Sequence, residues 1–172
     1  MKTNPVIENI LGRRTIRAFQ DKPLAREDLE AIVTCAQWAP SAKNFQGWAF
    51  VVVDDRARIA RFAEVVRVAL GRESYDMYKP QSIVIVGHKR EAEFGREDDG
   101  CAMQNMMLAA HSLGIGSVWI NQLQTVCDEP AVREQLAELG VPADCVVHGV
   151  CALGYAAAEG HQLPRTSTVV WA

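Results

Sequence analysis

Several familiar devices are missing from this chain, and each absence closes off a class of function. No apolar run reaches the length of a membrane span, and the opening MKTNPVIEN lacks the apolar centre of a signal peptide. The five cysteines (Cys35, Cys101, Cys127, Cys145 and Cys151) are odd in number and form no CxxC pair, which reads as reduced, mostly buried residues of a cytoplasmic protein. His88, His111, His148 and His161 show no HxxxH or HxH spacing, so no metal site is expected. There is no GxxxxGK[ST] loop, no GxGxxG and no GxSxG; Gly114-Ile115-Gly116 follows a helix rather than a strand and carries no weight as a dinucleotide fingerprint. No Ser or Cys has a sequence-level reason to act as a nucleophile. Repeats and low-complexity segments are absent, and a net charge of −3 leaves no electrostatic footprint for nucleic acid or an anionic membrane.

What is present is apolar patterning. With 172 residues, 49% of them hydrophobic, residues 1–172 read as one globular domain with a real core. The organising stretch runs from Glu97 to Gln122. Asp98 and Asp99 open a helix of about fifteen residues, roughly 22 Å long, and Gly114 closes it. Cys101, Ala102, Met103, Met106, Met107, Leu108, Ala109, Ala110 and Leu113 leave it almost no polar side, so cover is expected on all sides, part of it from a second copy of the chain. Gly116 to Ile120 then reads as a short buried strand.

Further helices are expected after Asn4-Pro5, over Leu29 to Ala36, over Ile59 to Leu70, and from an Asp128 cap through Leu139. Strands are expected over Ala49–Val53, Ser82–Gly87 and Val146–Leu153, while Tyr75, Met77 and Tyr78 mark a packed flap. A tail without pattern ends in Val169-Val170-Trp171 and must lie on its own domain or on a neighbour. The layout is α+β, with four or five strands and interleaved helices rather than strict βαβ alternation.

Two segments carry chemistry. Arg13, Arg14 and Arg17 supply forked donors and Thr15 a hydroxyl, a set suited to phosphate, although an RRxxR triplet is commonly a solvated basic corner. In the irregular loop Pro40 to Trp48, Ser41, Asn44 and Gln46 offer donors and acceptors beside Phe45 and Trp48, which suits a planar heterocycle with amide edges; a loop tied down by its own side chains reads equally well. Without a nucleophile or phosphate loop, the chain looks like a holder whose chemistry belongs to a cofactor.

The order and spacing of three blocks resemble the FMN-dependent nitroreductases over nearly the whole chain. Arg13-Arg14-Thr15-Ile16-Arg17-Ala18-Phe19 resembles RRSxRxF, Ala39 to Trp48 resembles APSxxNxQPW, and the central helix with LGIGSVWI resembles the family's helix and flavin-facing strand. Gly154-Tyr155 and Pro164-Arg165 fit its closing segment. The resemblance implies an α+β fold with a mixed or antiparallel central sheet of four to five strands, a long buried helix, and an intertwined homodimer with FMN at the interface. It assigns Arg13, Arg14, Thr15 and Arg165 to the phosphate and ribityl chain and Arg17 to the pyrimidine edge. It assigns Pro40, Ser41, Ala42, Asn44 and Gln46 to a loop reaching the flavin from the second subunit, and Ile120 and Asn121 to the strand end facing the ring.

The activity so implied is ping-pong transfer from NADH or NADPH through FMN to an electron-poor acceptor such as a nitroaromatic or quinone, with no protein nucleophile. The alternatives are a flavin-binding sensor or carrier with little turnover, and offshoots that act on activated C=C bonds, halogenated aromatics or the flavin itself. The chain departs from the pattern at Thr15 for Ser, Gly47 for Pro, and Asn121-Gln122 where acidic residues or glycine are common.

Overall fold

The computed structural model describes residues 2–171. Its elements are α1 Pro5–Gly12, α2 Arg26–Gln37, β1 Trp48–Val53, α3 Arg56–Ala69, β2 Ser82–Lys89, α4 Gly95–Ser112, β3 Gly116–Ile120, α5 Leu123–Val126, α6 Pro130–Leu139 and β4 Cys145–Gly154. The strands form a four-stranded sheet in the order β1-β2-β4-β3, and every pair is antiparallel. Of the mixed or antiparallel sheet expected, the structure shows the antiparallel form, and among the described residues parallel pairing enters only as an isolated bridge between Thr15 and Ser117.

Burial follows from position in the sheet. β2 is central and buried at every residue but Lys89, whereas edge strand β1 is half-buried until Val53. The continuous SIVIV run of β2 is what a strand covered on both faces requires. Because side chains alternate, Ile83 and Ile85 enter a core shared with α3, α5 and α6, while Val84 and Val86 enter a second core shared with α2 and α4. The sheet therefore has a hydrophobic layer on each side.

Helix α4 starts at Gly95, earlier than its acids suggested, and Asp98 does not cap it; Phe94 holds that position without a side-chain bond. Ala102, Met103, Met106, Met107 and Ala110 are buried against the sheet and α2, but Cys101 and Gln104 stay exposed. One chain thus covers most of α4, more than its nearly all-round apolar surface implied, and leaves a narrow stripe. Gly114 ends the helix with φ 73°, and Ile115 N–H reaches back to the Ala110 carbonyl at 2.8 Å.

The predicted Asp128 cap also fails, since α6 begins at Pro130 behind Glu129 and the Asp128 carboxylate pairs with Arg90 instead. The four-residue α5, unmarked by any sequence signal, follows β3 directly. Asn4 does cap α1, its Oδ1 accepting from Ile7 N–H at 2.9 Å. In the flap Met77 is fully buried, and Met77, Tyr78 and Lys79 all adopt positive φ. Over residues 158–171 the tail forms no helix or strand, and Leu163, Val169, Val170 and Trp171 are exposed. Among the described residues no helix is long and apolar enough to cross a membrane.

Candidate functional site

The segment Arg13 to Phe19 runs extended along the end of the sheet. Ile16 N–H donates to the Ser117 carbonyl at 3.0 Å, Gln20 N–H donates to Tyr155 at 2.8 Å, and Phe19 bridges Ala156. The approach is close enough to demand glycine on the other side. A Cβ on Gly116 would lie 2.9 Å from three carbons of Ile16, and one on Gly160 would lie 2.3 Å from the Arg14 Cβ. The arginine segment is thereby sandwiched between β3 and the start of the tail.

Between these parts opens a cavity of about 760 Å³, lined among others by Arg13, Arg14, His111, Ser117, Glu159 and His161. Its volume falls in the range typical of small-molecule sites. Its polar groups are unfinished, for Arg13 Nη1 and Ser117 Oγ are both buried with no partner. Burial, then the charge of Arg165, then that of Arg14 push the Arg13 guanidinium below its usual pKa. His111 is likewise lowered, first by burial and then by Arg13 and Arg14. Crowded cations and two orphaned donors, opposed only by Glu159, describe a site for an anion.

Not every predicted residue presents its side chain there. Arg14 Nη1 donates to the carbonyls of Leu11, Gly12 and Arg13 at 2.6, 3.0 and 2.9 Å, so this side chain also caps α1. Thr15 is half-buried and pairs with Ser117 through its backbone. Arg17 is exposed, its guanidinium 5.9 Å above the centre of the Tyr78 ring. Tyr78 and Gln122 line a second cavity of about 370 Å³ just past β3. Ile120 closes β3 at 1% exposure, and Asn121 after it is exposed.

The polar loop lies elsewhere. Pro40, Asn44 and Gln46 are exposed, and Ser41 and Ala42 are half-buried. Lys43, Asn44 and Gln46 hold φ of 54°, 54° and 50°, left-handed values that non-glycine residues rarely take. Ser41 Oγ accepts from Gln46 N–H at 3.1 Å, and Gln46 Nε2 donates to Asn44 Oδ1 at 2.7 Å.

This loop enters β1, where Trp48 pairs with His88 and His88 with Val146. Ser117, in contrast, pairs with Leu153. Those two positions on β4 are about 23 Å apart along the strand, and β1 and β3 lie about 14 Å apart across the sheet. Within one chain the arginine segment and the loop occupy opposite corners.

Several polar groups here escaped the sequence reading. His111, Ser117, Glu159 and His161 line the large cavity; of these only Ser117, a hydroxyl in the apolar run GSVWI, carried a usable signal. Asp98 and His88 stand behind the loop, both buried, with Asp98 Oδ2 3.6 Å from His88 Nε2. Next to them His148 Nδ1 meets Asp99 Oδ2 at 2.6 Å. Burial pushes the Asp99 pKa up, and the hydrogen bond to His148 opposes that shift.

Comparison with known proteins places these features in a common frame. The family model described as "Nitroreductase family" matches residues 10–83 and 71–155. A nitroreductase from Bacteroides fragilis, solved with bound FMN, is 37% identical and superposes with a TM-score of 0.89 over 97% of this chain and 96% of its own. A relative from Archaeoglobus fulgidus, provisionally named an NADH dehydrogenase/NAD(P)H nitroreductase, is 33% identical over 87% of this chain and 84% of itself. An NADPH-flavin oxidoreductase from Vibrio harveyi is 30% identical over 94% of this chain and 70% of its own length.

Proposed function

We infer the role of each site residue from one premise: the chain belongs to the nitroreductase family. It is an FMN-dependent NAD(P)H oxidoreductase. The observation that carries this reading for the chain's own residues is the pair of buried, partnerless donors, Arg13 Nη1 and Ser117 Oγ, inside a cavity of mutually repelling cations. A phosphate monoester satisfies both and neutralises the crowding.

Arg13, Thr15 and Arg165 are assigned to the phosphate and ribityl end of FMN. Arg14 shares that end while its Nη1 fixes the terminus of α1. Arg17 is assigned to the pyrimidine edge, where a cation favours negative charge on the ring and so favours its reduction. Ile120 and Asn121, at the end of β3, would face the ring. When bound, FMN supplies the redox chemistry that passes reducing equivalents from NADH or NADPH to an electron-poor acceptor such as a nitroaromatic or quinone, the two reactants using one slot in turn.

Pro40, Ser41, Ala42, Asn44 and Gln46 sit at the far corner of the same sheet, too distant to touch a cofactor held by Arg13 of their own chain. They are assigned to the flavin of a second copy, in a two-fold homodimer where each site takes its arginines from one protomer and its loop from the other. The outward apolar side chains Val6, Ile10, Leu11 and Trp38 supply surface for that contact. Five cysteines free of disulfides accord with a cytoplasmic location.

The decisive experiment is anaerobic mixing of the FMN-loaded protein with NADH and with NADPH. Bleaching of the flavin by at least one is expected, and failure with both overturns the reductase reading. Elution as a dimer is expected as well; a monomer of 19.0 kDa that retains FMN overturns the cross-subunit site.

A further inference from the structure

The strained loop that is assigned to the partner's flavin is held from behind by groups that have no place in the site itself. Ala42 N–H donates to Asp98 Oδ1 at 2.9 Å, and Asp98 lies in the first turn of α4 at 5% exposure. Its other oxygen faces His88 Nε2 at 3.6 Å, with the histidine fully buried. The His88 ring stacks on Phe45 with centroids 6.1 Å apart and meets Trp48 edge-on at 6.1 Å, so the end of the loop that leads into β1 rests against it. Gly47 sits in the gap; a Cβ there would come within 2.7 Å of the His88 ring and 2.5 Å of Phe45.

Burying a carboxylate is costly, and this one returns the cost only through what it holds. It holds a single backbone N–H in the middle of a segment whose Lys43, Asn44 and Gln46 all carry positive φ. Left-handed non-glycine residues persist only where surrounding structure over-determines them. Inside the loop the restraints are exposed polar contacts, Ser41 with Gln46 and Gln46 with Asn44, and one tight turn in which Asn44 N–H donates to the Ser41 carbonyl and Phe45 N–H to the Ala42 carbonyl, each at 3.0 Å. The buried restraints are the Asp98 hydrogen bond and the His88 stack.

We propose that Asp98, backed by His88, is a positioning pair that pre-sets the Pro40–Gln46 loop in the shape that receives the flavin of the partner subunit. The pair touches neither cofactor nor substrate and acts through Ala42 and Phe45. Without it the loop pays its ordering cost at the moment of binding, which lowers affinity for FMN. This proposal rests on the reading of the loop as a flavin contact.

The test compares Asp98→Ala, which removes the acceptor, with Asp98→Asn, whose amide oxygen accepts the same N–H. FMN affinity of the apoprotein is measured by fluorescence quenching, and tryptic cleavage after Lys43 is timed without FMN. Asp98→Ala should weaken FMN binding by about tenfold and speed cleavage after Lys43 by a similar factor, while Asp98→Asn should restore both to within about threefold of the parent. If Asp98→Ala does not fold, Ala42→Pro removes the donor without touching the core. Ser41, at φ −130° and ψ 150°, already has the conformation a following proline requires, and the same two changes are expected.

Unchanged affinity together with an unchanged cleavage rate overturns the proposal, as does an Asp98→Asn variant as impaired as Asp98→Ala. A parent protein that fails to bind FMN refutes the assignment of the cavity instead, and faster cleavage after Lys43 then still supports the positioning pair. Should cleavage quicken while FMN affinity stays the same, the pair orders the loop without serving the flavin, and the proposal fails.

Discussion

Replacing Arg13 by methionine removes a charge while keeping an unbranched side chain, and the structure dictates opposite effects in the empty and loaded protein. In the structure the guanidinium is half-buried, its Nη1 has no protein partner, and Arg165 and Arg14 repel it. An unsatisfied buried polar group costs roughly 1–3 kcal/mol, and partial exposure places this one at the low end, about 1 kcal/mol. Its removal should raise the melting temperature of the FMN-free protein by about 2–4 °C. On the proposed assignment the same group would donate to the FMN phosphate, and hydrogen bonds from charged donors contribute about 1.5–3 kcal/mol. The variant should therefore bind FMN about 10- to 150-fold more weakly. Fluorescence titration gives the affinity, and melts with and without saturating FMN give the two stabilities. An Arg13→Met protein that melts lower than its parent when empty, and binds FMN within twofold of it, refutes the account of this cavity.

His111 is held below its ordinary pKa of 6.5, so between its depressed folded value and 6.5 the unfolded chain carries the extra proton. Stability of the FMN-free protein should rise with pH through that window and fall on acidification; His111→Gln should flatten the slope just below pH 6.5, and an unaltered slope excludes the residue as its source. His148→Ala strips the buried Asp99 carboxylate of its 2.6 Å partner and should cost about 3 kcal/mol in urea unfolding, whereas a loss under about 0.5 kcal/mol means the pair contributes little. Gly116→Ala places a methyl against Ile16, so the extended arginine segment must shift. FMN affinity should then drop more than stability does, and equal affinities show that the segment has slack.

The core was the legible part of the fold. A β-branched run at 82–87 announces a strand buried on both faces, and the spacing of Leu29, Ile32 and Ala36 marks the apolar face of α2. Charged residues were misread where two partners competed for them. Asp98 and Asp128 both look like caps, yet one is drawn inward to Ala42 and His88, and the other outward to Arg90. Local sequence ranks cap candidates but carries no record of a partner dozens of positions away. The same limit hides the lining of the large cavity, since His111, Ser117 and Glu159 come from the end of α4, the start of β3 and the tail. The ordered motifs singled out the arginines and the loop as candidates. Their placement at opposite corners required the strand order, which periodicity does not encode.

Helix α1 shows how far one chain goes toward finishing itself. Eight residues are too few for a helix to persist on its own propensity, and no side chain of α1 is buried. Three polar tethers hold it. Asn4 caps its start, Asn9 Nδ2 donates to the Leu108 carbonyl on α4 at 3.0 Å, and Arg14 gathers the carbonyls at its end. These tethers fix where α1 lies and leave much of its apolar surface open, for Val6 is 67% exposed, Leu11 53% and Ile10 47%, with Ile7 half-buried. A groove beside them joins Val6 and Ile10 to Trp38 and Leu108, next to the open stripe of α4. The homodimer proposed above would cover this open apolar surface. The end of α1 also leads straight into Arg13, so pairing of two chains would stiffen the segment proposed to grip the phosphate, and dimer formation and cofactor retention should then rise and fall together.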